Sequence, residues 1–143
     1  MARPHTRAAR AAGDDLRTDA RERALILLYE AESKGIAASA VLAAQISPAD
    51  QLTTLLVEGV EANQPMLDEQ IAAHAKGWTL QRMPTIDRNV LRIAGFELMG
   101  RREVPVAVIL NEAVELAKRF STDDSGRFVN GVLSALVPVL RAE

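Results

Sequence analysis

VPVAVILNEAVELAKRFSTDDSGRFVNGVL, residues 104–133, decides the fold class of this chain. Val106, Ile109, Leu110, Ala113, Val114 and Ala117 recur at i, i+3, i+4, i+7, i+8 and i+11. That is the spacing of one face of an α-helix, and a face so apolar must be buried. Pro105 suits the first helical position, because the N–H that proline lacks has no partner there in any helix. The run Ser121-Thr122-Asp123-Asp124-Ser125-Gly126 then offers side-chain oxygens that compete with helical hydrogen bonds and cap a following helix. In that second helix Val129, Val132, Leu133, Leu136 and Leu140 form the apolar face. Asn130-Gly131, two poor helix formers inside it, predict a place where another helix passes close by.

Upstream, Thr85 is a fitting N-cap for a helix over residues 86–99, which Gly100 closes. Pro65 predicts the start of another, with Leu67, Ile71 and Ala75 pointing inward and Trp78 beyond its end at Gly77. Ser47-Pro48 predicts a further start, Ser47 as cap and Asp50 well placed against the helix dipole, with Leu52, Leu55, Leu56, Gly59 and Val60 as its core stripe. A short alanine-rich helix covers residues 38–44. Before it, Ala20, Ala24, Leu27, Leu28 and Ala31 line one face of a helix that Gly35 ends. Residues 1–16, rich in Ala and Arg and without apolar periodicity, predict a flexible tail. Seven helical segments and no period-2 strand give an all-α fold, a compact bundle formed by one domain over residues 17–143.

Composition narrows the chemistry. The chain has 143 residues, 48% of them hydrophobic and 25% charged, enough to bury a core without staples. It has no cysteine, which removes disulfides, thiolate zinc sites, iron–sulfur clusters and cysteine nucleophiles. His5 and His74 stand far apart and form no metal-binding pattern, so neither a metal nor another cofactor is expected. No apolar run is long enough to cross a bilayer and no secretory leader is evident, which predicts a cytoplasmic protein. The net charge is −2, but residues 1–23 hold six arginines against four acids, so the basic character is local.

Three polar or aromatic features stand near the apolar stripes. Glu115 and Arg119 have the spacing of an exposed i,i+4 ion pair. Asn111 lies close enough to a buried stripe to hydrogen-bond a neighbouring element. Phe128, at the edge of the last stripe and beside Arg127, reads either as a flank of the core or as a platform on which a base could stack next to a cation.

Residues 104–133, together with IDRNVLRIAGFEL at 86–98 and ARERALILLYEAE at 20–32, resemble the NusB family of transcription antitermination factors. The resemblance implies two packed helical subdomains without catalytic machinery, hence no enzyme. It implies binding of boxA RNA together with a small-subunit ribosomal protein acting as NusE, in an antitermination complex on RNA polymerase, notably over ribosomal RNA genes. It also admits self-association into a homodimer. Carried over by position, the family's RNA-contacting arginines fall on Arg17 and Arg21, and its basic residue and phenylalanine at the start of the last helix fall on Arg127 and Phe128. Arginine suits the role because its planar fork takes two phosphate oxygens or a base edge at once. Thr18 and Asp19 depart from the denser basic cluster of the family, and the tail arginines Arg3, Arg7 and Arg10 are candidates to compensate. Asp87 matches an acidic position facing the ribosomal-protein partner, and also reads simply as an acid in a helix's first turn.

Two other functions compete. NusB-like domains also precede ribosomal RNA cytosine methyltransferases, but this chain ends at Glu143 without a glycine-rich turn for a methyl donor or a cysteine nucleophile. A protein-binding adaptor with a weakened RNA surface fits the negative net charge and Asp19.

Overall fold

A computed structural model describes residues 3–141, with side chains from Leu16 onward. Its helices are α1 (Arg3–Lys34), α2 (Ala38–Ala43), α3 (Gln51–His74), α4 (Thr85–Gly100), α5 (Val106–Phe120) and α6 (Asp123–Leu140), with a 3-10 turn at Leu80–Arg82. The described residues contain no strand, so the all-α reading holds. Six α-helices stand where seven segments were expected.

The missing break is at Pro65, which lies inside the continuous α3. Proline there removes a helical hydrogen bond. Leu56, Val57 and Val60 before it and Leu67 and Ile71 after it are all buried, and that burial holds one helix together across the interruption. The start of α3 also moves, from Ser47-Pro48 to Gln51. The Ser47 carbonyl instead accepts a bond from the Arg23 guanidinium at 2.9 Å, while Thr53 bonds to the Asp50 carboxylate. At the other terminus α1 begins at Arg3, so residues 3–16, expected within a flexible tail, are helical. Its run of alanines carries the highest helix propensity. The side chains of Arg3, Arg7 and Arg10 lie outside the described residues.

Helix ends follow local chemistry. Gly35 takes φ +67°, and the amide of Ile36 reaches back to the Ala31 carbonyl at 3.1 Å, a six-to-one closure that glycine makes without strain. Thr122 caps α6 by accepting from the Ser125 amide at 3.0 Å.

α4 is the centre of the bundle, packed by α1, α3, α5 and α6. Every residue from Asn89 to Leu98 is buried, around the helix as well as along it. Close crossings fall on its contacts with α3. A side chain at Gly59 would place its Cβ 2.3 Å from the Phe96 ring, and one at Gly95 would meet Leu67 at 3.0 Å. The crossing expected at Asn130-Gly131 is absent: Gly131 is exposed and nothing lies within 4 Å of where its Cβ would stand. Leu55, expected in the core, is also exposed.

A helix buried all round must satisfy each polar residue it carries. Arg92 does so through both oxygens of Asp68, at 2.7 and 3.0 Å, and through Glu32 and Asn89, each at 3.1 Å. Arg88 bonds Glu32 and the Met83 carbonyl. Burial, followed by the adjacent Arg92 charge, lowers the Arg88 pKa from the usual arginine value.

Candidate functional site

The first half of the candidate site is a cleft of about 460 Å³ between α1, the loop after α4, and α5. Arg17, Thr18, Arg101, Glu103, Asn111 and Glu112 are among its walls. Arg17 is exposed at the rim. Thr18 donates to Glu112 at 2.9 Å and ties α1 to α5.

Arg21, one turn further along α1, does not share the exposure of Arg17. It is only 2% exposed, and its fork donates to both oxygens of Glu97, each at 2.8 Å. Glu97 also accepts from Arg101 at 2.8 Å, and Glu112 stands 3.7 Å from Arg21. A carboxylate taken out of water by the core of α4 is thus neutralised from two sides. Arg21 also lines this cleft, at its floor, where the buried guanidinium held by Glu97 joins α1 to α4.

The second half is a cleft of about 410 Å³ where the start of α4 meets the start of α6. Trp78, Pro84, Asp87, Thr122, Ser125 and Phe128 line it. The Trp78 and Phe128 rings stand 5.9 Å apart at 59°, a tilted pair that fixes the Phe128 ring. Phe128 is half-buried: it packs against the core and also lines the cleft, so both of its readings have a share. Asp87 is 3% exposed and accepts from the Ser125 hydroxyl at 2.9 Å. Its Oδ1 has no hydrogen-bond partner among the described residues.

Arg127 and Phe128 are adjacent in sequence but about 100° apart around α6, so they serve different grooves. Arg127 is exposed, pairs with Asp124, and flanks a groove of about 340 Å³ together with Lys118 and Asp123. Gly126 leaves room in that groove, since a Cβ there would stand 2.8 Å from Lys118. The five predicted residues therefore do not form one cluster. Arg17 and Arg21 belong to the first cleft, one at its rim and one at its floor, while Phe128 and Asp87 share the second and Arg127 stands beside it.

Other local readings change as well. Arg119 pairs across to Glu22 of α1 rather than with Glu115, which lies 3.9 Å from Lys118. Asn111 is exposed. Sequence reasoning missed Trp78 and Ser125 as site residues. Trp78 stands 50 positions from Phe128, outside any helical register, so only the scarcity of aromatics in this chain pointed to it.

This arrangement, two shallow clefts with arginines and an aromatic pair at their edges, suits recognition of an extended ligand. Among the described residues no group of three His, Cys, Asp or Glu could hold a metal ion. No described helix is long and apolar enough to cross a membrane.

Comparison with known proteins gives a consistent result. Residues 18–138 match the sequence model of the NusB family. Over 129 residues the chain is 48% identical to the transcription antitermination protein NusB of Saccharopolyspora erythraea, covering 86% of this chain and 87% of that protein. Among solved structures, T. maritima NusB superposes with a TM-score of 0.76 at 30% identity, over 85% of this chain and 89% of that one. A chain from the crystal structure of antitermination factors NusB and NusE in complex with dsRNA superposes with a TM-score of 0.74 at 25% identity, over 86% and 96%.

Proposed function

We propose that this chain, which belongs to the NusB family, is an RNA-binding transcription antitermination factor that holds boxA RNA jointly with a ribosomal protein acting as NusE. The observation that carries the reading is the superposition, over 86% of this chain, on a chain from a complex of NusB, NusE and RNA. The family is a regulatory one, and the protein works by binding rather than by chemistry. It acts in the cytoplasm, where the joint complex assembles on RNA polymerase over ribosomal RNA genes.

Residue roles follow from exposure and charge. Arg17 and Arg127 each offer a guanidinium for phosphate oxygens, the contact that sets RNA affinity. The open face of Phe128 takes an unstacked base, worth ~1–3 kcal/mol by stacking. Asp87 and its cleft face the ribosomal-protein partner, since two acids there, Asp87 and Asp124, favour a cation over a phosphate.

Fluorescence anisotropy of labelled boxA RNA, titrated with the chain alone and with the ribosomal protein added, tests this reading. Modest affinity alone and clear strengthening with the partner are expected. Absence of RNA binding with the partner present sinks the proposal.

A further inference from the structure

The last described residue, Arg141, makes an unusual set of contacts. Its Nε donates to the carbonyl of Leu98 at 2.7 Å and its Nη1 to that of Val104 at 2.5 Å. Its Nη2 donates to the carbonyls of Glu97 at 3.0 Å and Arg101 at 2.8 Å. All four acceptors belong to the end of α4 and the loop after it, 37 to 44 positions away in sequence.

The end of α4 explains why such a contact is needed. A helix leaves its last carbonyls without intrahelical partners, and glycine in the left-handed conformation is the usual local remedy. α1 uses that remedy at Gly35. α4 does not: Gly100 has no positive φ, and Arg101 follows at φ −125°. A planar cation with five donors, placed at the negative end of the helix dipole, supplies a bond to the Leu98 carbonyl and adds a second one to the carbonyls of Glu97 and Arg101, which already accept from the amides of Arg101 and Val104.

Two of the four carbonyls, those of Arg101 and Val104, belong to residues in the wall of the first cleft, which also contains Glu103 and Pro105 opposite Arg17. Glu97 is the joint. Its carbonyl is held by Arg141, and its carboxylate holds both Arg21 and Arg101. We propose that Arg141 is a positioning residue for the cleft beside Arg17: through four carbonyl oxygens it sets where the loop and Arg101 stand, and so the affinity with which the cleft takes RNA phosphate. The inference rests on the reading that this cleft contacts RNA. It assigns a role in that contact to a residue that does not itself line the cleft.

The test is a double-mutant cycle on the full chain with the ribosomal protein present, using labelled boxA RNA as probe. Arg141→Met removes every donor. At a temperature where its far-ultraviolet circular dichroism equals that of the wild type, its RNA affinity is expected to fall about fivefold, with faster amide exchange across residues 101–105. In an Arg17→Ala background the same substitution is expected to cost less than twofold, because the cleft contact is already lost. In an Arg127→Ala background it is expected to cost the full fivefold. A purely structural role does not produce that difference between backgrounds. If Arg141→Met melts below the assay temperature, Arg141→Lys, which keeps the charge without the planar fork, takes its place in the cycle. Wild-type affinity in the variant, or equal losses in both backgrounds, overturns the inference while leaving RNA binding intact. Absence of RNA binding by the wild type overturns the functional reading itself, and the inference with it.

Discussion

On α1 the guanidinium of Arg21 is shut inside the bundle and gripped by both oxygens of Glu97, whereas on α6 that of Arg127 stands in solvent beside Asp124. Both are helical arginines, Arg21 past the middle of α1 and Arg127 in the first turns of α6, and both were expected to touch RNA. The difference is what lies across from them. α1 packs on α4, the one helix buried on all sides, and α4 carries a buried glutamate, Glu97, whose carboxylate is matched by Arg21 and Arg101. The start of α6 meets α4 through Ser125 and Asp87, but its Arg127 side faces an open groove beside α5. Charge in the α1–α4 region therefore serves stability, and charge at the start of α6 remains available for binding.

The largest expected effect follows from that contrast. Arg21→Ala leaves Glu97 buried with two of its three side-chain hydrogen bonds removed, and is expected to cost ~3–5 kcal/mol in urea unfolding. Survival of full stability, with loss limited to RNA affinity, would return Arg21 to the binding surface. Next comes the packing around α4. Gly59→Ala drives a methyl into the Phe96 ring and is expected to cost about 1–3 kcal/mol. Gly131→Ala, on the exposed side of α6, meets nothing and is expected to stabilise by about 0.5–1 kcal/mol through helix propensity. Thermal melts that rank the two glycines the other way would refute the placement of the close crossings. Smallest in stability is Arg127→Ala, exposed and paired only with Asp124. Its melting temperature is expected to stay within about 2 °C of the wild type, while RNA affinity measured by anisotropy weakens severalfold.

Much of this architecture was legible in the sequence. The stripes of α1, α5 and α6 are buried at most of the predicted positions, because an apolar face at helical spacing has nowhere else to go. Pro65 and Gly131 misled for one reason: a local signal gives the usual consequence of a residue, and tertiary packing decides whether that consequence occurs. Proline was tolerated where buried leucines on either side held α3 together, and Gly131 faced solvent where a crossing helix was expected. The site was less legible. Resemblance placed Arg17 and Arg21 on the same footing, since i,i+4 positions share a helix face, but exposure changes within a single turn when α4 lies alongside. The pairing of Trp78 with Phe128, and the grip of Arg141 on the α4 end, join positions that no periodicity relates.

The central claim is that exposed arginines at two separate edges, and not the buried Arg21, make the phosphate contacts. The salt dependence of boxA RNA binding, measured with the ribosomal protein present for the wild type and for the Arg17→Ala/Arg127→Ala double variant, tests it most directly. Two lost contacts are expected to make the slope of log K against log salt shallower by about 1.4, at about 0.7 per contact to a single strand, with the fold unchanged. A slope and affinity equal to those of the wild type would contradict the account.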